Sequence, residues 1–128
     1  MSLLNELGFN KQHLIPLSLD LIFVNSALEE LFWRGVILNR LDQMHTPFKH
    51  FGIISSSVMY AAFHYFILRL VVYPGWAEFG FILLAIYGAF LAIVYRKTGS
   101  IVMASLAHGF LTDLAAIVLI LDLLQHYP

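Results

Sequence analysis

The chain has no cysteine. That excludes disulfides, thiolate metal ligands and a thiol nucleophile, and leaves histidine and the carboxylates as the side chains with chemistry to offer. Charge is nearly as scarce, with 12% of 128 residues charged against about a quarter in an ordinary globular domain. The formal net charge of −1 makes no basic field that could hold a polyanion, so nucleic acid is excluded as a partner. The opening residues MSLLNELGFNKQ also lack the basic start, apolar run and small-residue cleavage site of a secretory leader, and insertion is expected to be directed by the first spanning helix.

What fills the chain instead is apolar: 60% of residues are hydrophobic and the mean hydropathy is +0.81. Such a surface has to face lipid. Four apolar stretches, Leu14 to Leu41, Phe51 to Tyr73, Trp76 to Tyr95 and Ser100 to Leu124, each reach the ~20 residues needed to cross a bilayer. Short polar connections at Asp42 to His50, Pro74-Gly75 and Arg96 to Gly99 separate them and force successive helices to run antiparallel. The expected fold is all-α, a polytopic membrane bundle of about four transmembrane helices forming a single domain over 1–128. Arg40 and Lys49 lie in the first connection and Arg96 and Lys97 in the third, against Lys11 and Arg69 opposite, which makes loops 42–50 and 96–99 the cytoplasmic ones.

Several residues do not belong in lipid. Glu29, Glu30 and Arg34 sit inside the first apolar run, where each uncompensated charge costs at least ~2.5 kcal/mol. Glu30 and Arg34 are spaced to pair across one helical turn, the reading in which they anchor the helix. Glu29 is left over, between Asn25 and Trp33 on its face, and a spare carboxylate at membrane depth marks a functional site. The second stretch places His64 on a polar strip with Tyr60 and Ser57. The fourth places His108 with Ser105 one turn before it, Thr112 one turn after it, and Asp113 turned partly away. A single membrane histidine is more often a packing group, but three helices that each deliver one ionisable side chain can assemble an interior site. His13, His45, His50 and His126 fall near loops or ends and read as surface.

Carboxylate and imidazole together support hydrolysis without a serine. Glu29 and His64 can remove a proton from water, while His108, with Thr112, donates to the oxyanion that forms on the scissile carbonyl. The same Glu29, His64 and His108 could instead ligate zinc, although no HExxH pattern accompanies them. A proton relay would need a polar file through the bundle, and the third stretch has no ionisable residue between Glu78 and Arg96. A catalytically silent adaptor would tolerate replacement of Glu29.

Glu29-Glu30-Leu31-Phe32-Trp33-Arg34 resembles the EExxxR motif of the CPBP family, the CAAX-protease and bacteriocin-processing intramembrane enzymes also called the Abi family. Tyr60-Ala61-Ala62-Phe63-His64 is similar to its second motif, an aromatic residue four before a histidine. Thr98-Gly99-Ser100-Ile101 leading to Ala107-His108 resembles the approach to its third. The resemblance spans about residues 21–113. It implies a glutamate-dependent, metal-independent intramembrane endopeptidase of a prokaryotic cell membrane, acting on membrane-embedded or lipid-anchored peptide substrates, prenylated CAAX proteins or exported peptides among them. It implies Glu29 and His64 as the water-activating pair, His108 and Thr112 as the oxyanion hole, and Glu30, Arg34 and Tyr60 in support, with no cofactor. The chain departs from the pattern at one place: the family usually has asparagine or aspartate four residues after the last histidine, where this chain has Thr112, with Asp113 one further on.

Overall fold

The computed structural model describes residues 16–71, 75–113 and 117–118. Among these the chain is helical, and no strand is present. Helix α1 (16–42) is followed by α2 (Phe51–Val71), α3 (Trp76–Thr98) and α4 (Ile101–Asp113); the first three lie within a few residues of their expected apolar stretches, α4 starts where the fourth was expected to, and most of that stretch beyond Asp113 lies outside the described residues. Lys11, His13, Tyr73, Pro74 and His126 lie outside the described residues.

The breaks between helices have simple local causes. Gly99 takes a positive φ of 64°, the left-handed conformation that ends α3, and its N–H closes on the Tyr95 carbonyl at 2.7 Å. Gly75, at φ 94°, starts α3, where Glu78 reaches back to the Gly75 N–H at 3.0 Å. Two helices are not regular. In α1 the segments Asp20–Asn25 and Leu31–Leu38, and in α4 the segment Gly109–Asp113, are π-helical, bonding five residues apart instead of four. Wide turns of this kind cluster at functional sites.

The chain divides into two compact units. One comprises Glu30–Ala104, the other Met1–Glu29 with Ser105–Pro128. In the Glu30–Ala104 unit α2 and α3 form an antiparallel hairpin, and the later part of α1 packs on both. At one end Arg96 donates from Nε to Asp42 Oδ2 at 3.0 Å and from Nη2 to the other carboxylate oxygen, so the connections after α1 and after α3 lie at the same end, as their charge suggested. Toward the other end of the hairpin Tyr65 donates to Glu78 at 3.1 Å and receives from Arg69 at 3.2 Å. In the second unit the wide turn Asp20–Asn25 packs on the wide turn Gly109–Asp113, and Phe23 meets Phe110 edge-on at 6.3 Å.

Beside a core of Leu38, Tyr60 and Leu91, several polar groups are buried and large apolar ones face outward. Arg34, Glu30, Ser26, Ser56, Ser57, Ser105 and His108 are buried, while Leu70, Phe66, Val102 and Ile86 are exposed. The apolar windows of α2 and α3 are only 28% and 22% buried, so these two helices, long and apolar enough to cross a bilayer, are not the core helices of a soluble fold.

Candidate active site

In the unit built from the start of α1 and the end of α4, Glu29 lies on the short α-helical segment Ser26–Glu30 between the two wide turns. One of its oxygens, Oε1, accepts a hydrogen bond of 3.1 Å from Asn25 Nδ2, one turn earlier. The other, Oε2, lies 3.9 Å from His108 Nε2, with the imidazole 3% exposed and the carboxylate 21%. The backbones come close because α4 carries glycine at the crossing: a Cβ on Gly109 would meet the Ile22 carbonyl oxygen of α1. The structure thus brings Glu29 and His108 together.

His108 has a second carboxylate beside it. Asp113 Oδ1 is 3.8 Å from the same Nε2, with the side chain 14% exposed. Sequence spacing had turned Asp113 partly away, because on a regular helix the residue five later is rotated off the face. The wide turn Gly109–Asp113 removes that rotation. Thr112, expected beside the oxyanion, donates its hydroxyl to the His108 carbonyl at 2.9 Å, a bond within its own helix. A hydroxyl has a single hydrogen, so donation to another group requires Thr112 to give up this bond.

In the Glu30–Ala104 unit Arg34 is the centre. Its Nη1 donates to Glu30 Oε1 at 2.8 Å, and Nη2 donates to the Gly88 carbonyl of α3 at 2.9 Å. The guanidinium also lies over the Tyr60 ring, 5.0 Å from its centroid. Arg34 is 2% exposed and Glu30 fully buried. The Glu30 and Arg34 pairing was legible from their spacing. The Gly88 bond was not, because a backbone carbonyl on another helix leaves no trace in the sequence.

Tyr60, 1% exposed, packs edge-on against Trp33 at 5.7 Å and holds His64 at a ring separation of 4.3 Å. His64 Nδ1 donates to the Tyr60 carbonyl at 2.9 Å. Since a carbonyl only accepts, this bond places hydrogen on Nδ1; in the neutral ring Nε2 then carries the lone pair, the form a base requires. His45 and His50 are exposed, as expected of them. Among the described residues no group of three or more His, Cys, Asp or Glu side chains is arranged to hold a metal ion.

A helical chain that turns leucine and phenylalanine outward and buries glutamate, arginine and histidine is a membrane-embedded protein with an interior polar site. The family described as Type II CAAX prenyl endopeptidase Rce1-like matches it over residues 11–112. The chain belongs to that family of membrane-embedded proteases, in agreement with the resemblance carried by the three motifs. Comparison with curated proteins and with solved structures finds no match.

Proposed function

We propose that this chain is an intramembrane endopeptidase that hydrolyses peptide bonds of membrane-associated substrates, prenylated CAAX proteins or exported peptides, through a water activated by glutamate and histidine. Residues 1–128 act as one protease domain, with the chemistry between positions 21 and 113, and no cofactor is required. The observation that carries the reading is the Glu29 carboxylate 3.9 Å from the buried His108 imidazole, in a chain whose family cleaves prenylated substrates.

The chemistry follows from those two groups. Glu29, steadied through Oε1 by Asn25, takes a proton from water, and the resulting hydroxide bonds to the scissile carbonyl carbon. The carbonyl π electrons move onto oxygen, and His108 donates to that oxyanion from a site where little water competes. Collapse of the tetrahedral intermediate breaks the C–N bond, and the leaving nitrogen takes the proton that Glu29 received. His64 has the role its motif gives it, a second base on the attacking water, with Nδ1–H on the Tyr60 carbonyl fixing the ring. Glu30, Arg34 and Tyr60 support that histidine's helix.

Reconstituted in liposomes, the wild type should cut a set of prenylated and unmodified membrane-anchored peptides, Glu29→Gln should cut none, and a strong chelator should leave the rate unchanged. Cleavage that survives Glu29→Gln, or no cleavage by folded wild type, would refute the glutamate mechanism. Loss with chelator and recovery with zinc would assign Glu29 and the histidines to metal binding.

A further inference from the structure

On a regular α-helix the residue four after His108 stands over it, and the residue five after is rotated about 100° further round. In this chain the segment Gly109–Asp113 bonds five residues apart, and the wider turn brings position 113 back beside the histidine. Asp113 Oδ1 is 3.8 Å from Nε2, the same nitrogen that Glu29 approaches to 3.9 Å, while the Thr112 hydroxyl points to the His108 carbonyl at 2.9 Å. We propose that Asp113, and not Thr112, is the residue that positions His108 for the oxyanion, an inference that rests on the protease reading above. The place that the motif reserves for a side chain four residues after the histidine is filled here from five residues after, because the helix widens.

The role has a reason beyond proximity. A neutral imidazole carries its hydrogen on one nitrogen, and negative charge next to Nε2 favours it there, where it is needed as a donor. Two carboxylates supply that charge in the resting site. When Glu29 takes the proton from water its charge is lost, at the moment the oxyanion forms. Asp113 takes no part in that proton transfer, and its carboxylate stays beside the ring and keeps it oriented. Asp113 acts through His108 and does not touch the substrate.

Two sets of variants test this. In the reconstituted protein Asp113→Ala should lower kcat about 100-fold with KM little changed, and Asp113→Asn, whose amide oxygen still accepts, should recover roughly tenfold of that. Thr112→Val should cost less than about threefold, the size of one dispensable hydrogen bond. The exchange Thr112→Asp with Asp113→Thr should be no better than Asp113→Ala, because the acid then stands where the structure turns the side chain to the His108 backbone carbonyl. Recovery of wild-type kcat by that exchange, or a Thr112→Val loss as large as that of Asp113→Ala, would overturn the proposal. Placement is read separately and without activity. The chain has no cysteine, so Glu29→Cys can be paired with Asp113→Cys or with Thr112→Cys and treated with a short bifunctional thiol reagent. The 29/113 pair should link in preference to 29/112, and the reverse order would overturn the register. If wild type cuts nothing while 29/113 links, the protease reading fails and the position of Asp113 stands.

Discussion

Arg34 shows how a charge is made tolerable in a lipid-facing helix. It has a carboxylate one turn away, a carbonyl from another helix and an aromatic face, and each engages a different part of the planar guanidinium. A lysine ammonium can keep the bond to Glu30 but cannot reach Gly88 and cover Tyr60 at once. Arg34→Lys should therefore destabilise the folded protein by about 2 kcal/mol, and Arg34→Ala, which strands the buried Glu30, by about 3–5 kcal/mol. Thermal unfolding in detergent measures both, and an Arg34→Lys variant as stable as the wild type would mean that the Gly88 and Tyr60 contacts contribute nothing. At this scale the sequence was informative where partners are local. Glu30 with Arg34, and the aromatic residue before His64, follow from spacing alone. The Asn25 bond to Glu29 is equally local, yet only the distance of 3.1 Å shows that it forms.

Helices α1 and α4 carry the departures from ideal geometry, and those departures determine which side chains meet. Apolar length predicted where α1, α2 and α3 run and where α4 starts, because twenty-odd residues free of unpaired charge can satisfy their backbone in lipid only as helix. It could not predict the wide turns, since π-helical and α-helical segments differ by one residue of register and not by composition. Asp113 was misjudged for that reason. Glycine marks the close approaches. At Gly109 an added Cβ would run into a backbone carbonyl, which cannot rotate away, while at Gly88 it would stand 3.1 Å from Tyr60 Cδ1 and 3.3 Å from Ser57 Cα, tight but open to small adjustment. Gly109→Ala should accordingly destabilise by about 1–3 kcal/mol and lower cleavage at least tenfold by moving His108 from Glu29, with Gly88→Ala the milder of the two. Melting temperatures and cleavage rates of the two variants check the order, and a harmless Gly109→Ala would show that α4 does not need this close approach.

The whole molecule has an apolar surface to cover and a direction to face across the membrane. Leu70 and Phe66 on α2 are 88% and 71% exposed, an apolar surface suited to lipid. The charges at the two ends of the α2–α3 hairpin then set orientation. Arg96 is bonded to Asp42, but acidic residues count for little in the positive-inside bias, so Arg40, Lys49, Arg96 and Lys97 should still direct their end to the cytoplasm. The exposed Trp76 at the start of α3 then belongs at the opposite interface. Single cysteines introduced as His45→Cys, Lys97→Cys and Trp76→Cys into the cysteine-free chain should divide accordingly. A membrane-impermeant thiol reagent applied to intact cells should label position 76 and reach positions 45 and 97 only after permeabilisation. Labelling of 45 and 97 from outside would invert the orientation and place the polar connections on the exported side. Labelling of one but not the other would break the pairing of these two ends that Asp42 and Arg96 make, and with it the antiparallel order of α1, α2 and α3.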